Sequence, residues 1–164
     1  MRNKFIVLLL VMLIVVFSGC IQSDIGKIND LSSKINANLK NGDNYYNNAA
    51  EGINEFSLDS ASTNCDKALS EFKLAKSSAD EGLKYAQNSN DAVFINYMKY
   101  SVEEIDLRIT ATQELKEAIP LLKVKNNSTG NAHITLANQY MDKSLQYKYK
   151  KDVLVKNNPS KFKK

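Results

Sequence analysis

No apolar run in this 164-residue sequence reaches the ~20 residues a membrane-spanning helix needs, which argues against a plain transmembrane anchor. Histidine occurs once, as His133, with no cysteine, carboxylate or second histidine at ligand spacing beside it. A metal or catalytic role for it is therefore disfavoured. The chain carries no Gly-rich phosphate loop, no nucleophile elbow and no zinc-binding helix motif, so neither a cofactor nor a catalytic residue is expected. No stretch alternates convincingly with period two, which leaves little room for strands.

What is present begins at the N-terminus. Arg2 and Lys4 precede an unbroken apolar segment from Phe5 to Phe17, the layout of a secretory signal. The segment ends in Phe17-Ser18-Gly19-Cys20. Ser18, Gly19 and Cys20 resemble the lipobox of prokaryotic lipoproteins, with Phe17 where leucine is commoner. Small side chains at Ser18 and Gly19 suit an extended backbone in a peptidase cleft, and the Cys20 thiol can be alkylated. The resemblance implies cleavage between Gly19 and Cys20 and a diacylglyceryl, palmitate-type anchor on Cys20. Two acyl chains at ~0.8 kcal/mol per buried methylene hold stably where one holds marginally. The competing reading is a chance cysteine beyond an uncleaved signal anchor. Both place the body at the extracytoplasmic face of the cell membrane.

Residues 1–19 are thus expected to be a signal peptide and 20–23 a lipidated tether. A single helical domain is expected over 24–156 and a loose basic tail over 157–164. From Lys143 onward there are eight lysines against one acid, Asp152, whereas from Cys20 to Asp142 seventeen acids face twelve bases. Such asymmetry suggests an electrostatic partner for Lys148, Lys150, Lys151, Lys156, Lys161, Lys163 and Lys164. An exported chain does not ordinarily meet nucleic acid, so anionic lipid or an acidic wall polymer is the better candidate. If Cys20 is lipidated, Cys65 has no partner, and it reads as a small buried apolar residue among Ala61, Ala68 and Phe72.

Helical periodicity fills the rest. The first helix carries Ile25, Ile28, Ile35, Leu39, Tyr46, Ala49, Ile53 and Phe56 on one seam, completed by Ser32 and Gly42. Asn41-Gly42-Asp43 is a turn signal that could split it. The second starts near Ser57 or Asp59 as a cap, and its seam is Ala61, Cys65, Ala68, Phe72, Ala75, Ala79, Gly82 and Ala86. After a polar break at Asn88-Ser89-Asn90, a third helix runs from Phe94 to Ile119 and should kink or stop at Pro120. Lys125 to Gly130 reads as a polar loop. A fourth helix follows from about Asn131, with Ile134, Ala137, Met141 and Leu145 on one side, and ends near Asn157-Asn158-Pro159. An all-α, four-helix up-and-down bundle is the simplest solution, and a short tetratricopeptide-like helical repeat is the alternative.

Chemistry-bearing groups are sparse. Glu103, Glu104 and Asp106 could do acid-base work, but Glu104 precedes Arg108, and Asp80 precedes Lys84, by four residues, which suits ion pairs on a solvated face. Tyr97, Tyr100, Tyr140 and Tyr147 either line a ligand pocket between the third and fourth helices or sit at the core edge. Asn126-Asn127-Ser128 and Asn127-Ser128-Thr129 are overlapping N-glycosylation sequons, as readily chance as used. The expectation is a non-enzymatic, membrane-anchored binding or scaffold module with an envelope protein or polymer as partner. A helical sensor or solute-binding module is the alternative, and an enzyme would need carboxylates gathered from distant helices.

Overall fold

The computed structural model describes residues 2–162, with side chains from Asp24 onward. Cys20, Gly19, Lys163 and Lys164 lie outside the described side chains. Four helices follow one another: α1 (Arg2–Asn54), α2 (Leu58–Ser89), α3 (Ala92–Lys123) and α4 (Asn127–Asn157). Connections of two or three residues force each helix to turn back along its predecessor, and the result is an all-α up-and-down bundle. Among the described residues there is no strand, and no helix is long and apolar enough to cross a membrane.

The small-residue seam of α2 explains how tightly the first three helices pack. Ala61, Cys65, Ala68, Phe72, Ala75, Ala79 and Ala86 are fully buried. With no side chain beyond Cβ at most of these positions, neighbouring helices can approach closely, and glycines on either side of the contact take the larger residues. Gly42 of α1 sits against the Phe72 ring, and Gly82 of α2 sits against the Met98 thioether. Burying Phe72 alone contributes about 3 kcal/mol. Gly42 is therefore a notch inside a continuous helix and not a turn, so α1 is not split there.

Helix ends differ from the sequence expectation in instructive ways. Phe56, placed on the α1 seam, is 63% exposed because it adopts a left-handed φ of 61° just past the helix. Its N–H donates to the Ile53 carbonyl and that of Ser57 to Gly52, the paired closure of a Schellman turn. Emerging from that turn at φ −84° and ψ 57°, Ser57 is not extended, so its hydroxyl makes no cap bond to α2. Asp91 is extended and does cap α3, accepting from Val93 N at 2.9 Å.

Pro120 neither stops α3 nor precedes a long loop. Ile119 and Leu122 are buried on either side of it, so packing holds the last turn helical to Lys123. Lys125 then takes φ 58°, and the Asn126 N–H reaches Leu121 O at 2.8 Å in a second Schellman turn. The helix α4 begins at once, at Asn127, four residues before the expected start.

Candidate functional site

The helix α3 is the centre of the molecule. One stripe, including Met98, faces α2. A second stripe, Tyr97, Ser101, Glu104, Arg108, Ala111, Ala118 and Leu122, is also buried and meets α4 and α1. The facing residues of α4 are Gly130, Ala137, Ser144 and Lys151, spaced by seven. Leu145 is off this seam and 49% exposed, because the close approach at Gly130 to Leu122 rotates α4 so that the smallest residues point inward.

Two sequence expectations change here. Glu104 and Arg108 do form their four-residue pair, at 2.9 Å, but on a buried face and not a solvated one. Glu104 is 1% exposed and its second oxygen lies 2.7 Å from Lys151 Nζ. Lys151 is itself 4% exposed, so it cannot serve an anionic surface as part of a basic tail. Arg108 also pairs with Asp43 of α1. The other expected pair is replaced, since Asp80 lies 3.7 Å from Lys76 instead of pairing with Lys84.

Burial pushes the Glu104 carboxyl above its ordinary range, opposed by the Lys151 charge and hydrogen bond. Burial lowers the Arg108 guanidinium to about 10, which leaves it charged at neutral pH. Desolvating these ions is costly, and only their mutual contacts make the arrangement tolerable. A row of buried charge at a position that could hold leucine makes this side of the bundle different from the apolar α1–α2–α3 side.

The consequence is a cleft. Among the described residues no Cα of α1 lies within 8 Å of one in α4, although these two helices would close a four-sided bundle. Between them opens a space of about 760 Å³, floored by Tyr97, Glu104, Arg108 and Lys151 of α3 and α4. The α1 wall presents Asn29, Ser32, Ser33, Asn36, Lys40 and Asn44. Apart from Leu39 this stripe is polar and gives α4 little apolar surface to cover, so the helices stay apart. Lys148, Asp152, Val155 and Lys156 form the opposite wall, and Lys148 and Asp152 pair at 2.8 Å.

The C-terminal turn closes one end. Residues 157–162 do not form the loose tail expected from sequence. Phe162 packs edge-on against Phe94, centroids 5.4 Å apart, and against Tyr97 at 5.2 Å, while Lys161 pairs with Asp91. Burial alone would raise the Asp91 carboxyl. Hydrogen bonds from Lys161 and from the Val93 and Phe94 amides nevertheless hold it below the ordinary carboxylate range.

The tyrosines do not converge on one pocket. Tyr97 faces the cleft between α1 and α4, beside Ser32 and Asn36 of the α1 wall. Tyr100 and Tyr147 instead stack on each other at 6.2 Å, with Lys150 4.4 Å above the Tyr147 ring. Tyr140 lies apart under Lys143. Of the remaining basic residues, Lys156 is exposed on the cleft wall. Asn126, in the α3–α4 connection, and Asn127, the first residue of α4, are both exposed. That connection shares a pole with the α1–α2 turn, as the 2.5 Å Lys123–Asp59 pair shows. His133 contacts Glu114 at 2.7 Å. Cys65 is fully buried, and burial pushes its thiol up to about 11, which makes it a poor nucleophile. Among the described residues no group of three or more histidine, cysteine or acidic side chains could hold a metal ion.

Sequence reasoning missed the cleft because its floor residues were assigned by charge to the surface. The spacing carried a signal: Glu104 and Arg108 share the register of Tyr97, Ser101 and Ala111, and Lys151 continues the run Gly130, Ala137, Ser144. Compared with known protein families, curated proteins and solved structures, the chain matches none.

Proposed function

We propose that this protein is an extracytoplasmic lipoprotein, anchored by a diacylated Cys20, that acts without catalysis as a helical binding module through the α1–α4 cleft. The observation that carries the binding role is the cleft itself. Its volume of about 760 Å³ is in the range of ligand sites, and most of the residues lining it are polar or charged while the rest of the bundle closes on apolar seams. Its acids and its buried bases are engaged with one another, an arrangement suited to holding a shape and not to exchanging protons. The alternative of a solute-binding sensor moves accordingly, from between α3 and α4 to between α1 and α4.

The anchor rests on Ser18-Gly19-Cys20 after a short apolar segment. Among the described side chains Ile25 is the first to pack on the bundle, so a mature chain starting at Cys20 would hold the body close to the bilayer. Both sequons would then lie at the far pole. Intact-mass analysis of protein extracted from membranes should find a diacylated N-terminal Cys20, and Cys20→Ser should release or misprocess it. An unmodified Cys20 with residues 1–19 still attached would refute the anchor. For the cleft, crosslinking in native membranes followed by pull-down should capture an envelope component that Asn36→Leu loses; capture unchanged by that substitution would place the interaction elsewhere.

A further inference from the structure

We propose that the cleft binds an acidic oligosaccharide segment lying along the helix axes; this rests on the binding-module reading and names its ligand. The first argument is shape. On α1 the lining runs from Asn29 to Asn44, which at 1.5 Å per residue is about 22 Å of helix. The opening is therefore elongated along the helix axes, a shape that suits an extended chain.

The second argument is the chemistry of the wall. Asn29, Asn36 and Asn44 carry amides that both donate and accept. The Ser33 hydroxyl donates to the Asn29 carbonyl and so turns lone pairs outward. Sugar hydroxyls are also donors and acceptors at once, and a row of such groups matches them residue by residue. A peptide strand would instead seek an unpaired sheet edge or a series of apolar pockets. Helical walls offer no such edge, and Leu39 and Val155 are the main aliphatic residues present.

The third argument is charge. Every acid lining the cleft is already paired: Asp43 with Arg108, Glu104 with Arg108 and Lys151, Asp152 with Lys148. Lys40 and Lys156 line it with no acid within 4.0 Å among the described residues. They stand on opposite walls. Because α1 and α4 run antiparallel, Lys40 lies toward the Lys148 end and Lys156 toward Phe162. Two cations so separated suit carboxylates or phosphates repeated along a polymer better than one compact anion.

The test uses the full chain in detergent micelles and titrates three probes by calorimetry: hexameric galacturonate, its fully methyl-esterified form and hexaglutamate. Hexameric galacturonate should bind and weaken as salt rises. The ester and the peptide should each bind at least tenfold more weakly. The double variant Lys40→Ala/Lys156→Ala should lose at least tenfold, and Asn36→Leu should also weaken binding; these residues are exposed, and unchanged circular dichroism confirms the fold. Hexaglutamate binding as well as the sugar would overturn the ligand class in favour of an acidic peptide. No saturable sugar binding, or binding indifferent to all three substitutions, would overturn the proposal. Crosslinked capture in membranes separates the two readings: if it still depends on Lys40 and Lys156 the cleft survives with a different ligand, and if it does not the binding-module reading fails too.

Discussion

Adding one methyl group at Gly42 probes the packing of the whole α1–α2 face. In a helix interior Gly→Ala is favourable by about 1 kcal/mol, since alanine gives up less backbone entropy. At Gly42 the new Cβ would meet three carbons of the Phe72 ring, all at 2.9 Å or less. That ring is fully buried and flat on both sides, so it cannot swing aside as a flexible chain end could. Overpacking of this kind costs about 1–3 kcal/mol, and with three ring atoms involved the upper figure applies. Subtracting the propensity gain leaves a net loss of about 2 kcal/mol. Urea unfolding of the body from Ile21 onward should show a lower midpoint at unchanged slope, a shift of roughly 1 M for a slope near 2 kcal/mol/M. Gly26→Ala is the control: nothing lies within 4 Å of its added Cβ, so it should raise the midpoint. In a Phe72→Leu background the penalty at Gly42 should shrink by more than 0.5 kcal/mol, the signature of direct contact. If Gly42→Ala is as stable as the parent, the two helices are not apposed as described and the turn reading of Asn41-Gly42-Asp43 returns.

Lys151→Met should destabilise by about 3 kcal/mol by stranding buried Glu104, at the low end for a broken buried pair because Arg108 still contacts it; adding Glu104→Gln should recover most of the loss, and additive losses would remove the network. Phe162→Ala should cost about 1–2 kcal/mol from the two aromatic contacts its half-buried ring makes, read as a lower urea midpoint, whereas no change would mean the C-terminal turn does not dock in solution. The Asp91 clasp should show in pH dependence. Its folded pKa is held below the ordinary carboxylate value of 3.8, so its contribution is present above that value and is lost as pH falls through the folded pKa. The stability gap between the parent and Asp91→Asn should therefore narrow as pH falls through the acid range, and a gap that does not change with pH there would contradict the assignment. Lys125→Gly should gain about 1 kcal/mol by relieving a left-handed backbone at an exposed position; a loss would show that Lys125 is not at φ 58° in solution.

The sequence by itself determined the helices, because a spacing of three and four residues can be buried only on a helix face. The seam of α2 from Ala61 to Ala86 was legible in full, since nothing but apolar or small residues occupies it and burial needs no partner chemistry. What the tertiary structure decided is where neighbouring backbones approach and what that does to polar groups. Gly42 could be a turn or a notch on local grounds; only the position of the Phe72 ring selects the notch. Pro120 should end a helix in isolation, yet Ile119 and Leu122 bury the turn around it and keep it helical. Glu104, Arg108 and Lys151 look like solvated residues one at a time, because a charge is stable in water without help. They become buried when partners more than forty residues away converge on them, and a pairing across helices leaves no mark on local spacing. The cleft is the sum of such decisions: a largely polar stripe on α1 does not close against α4, and the bundle stays open along the side where its buried charges are.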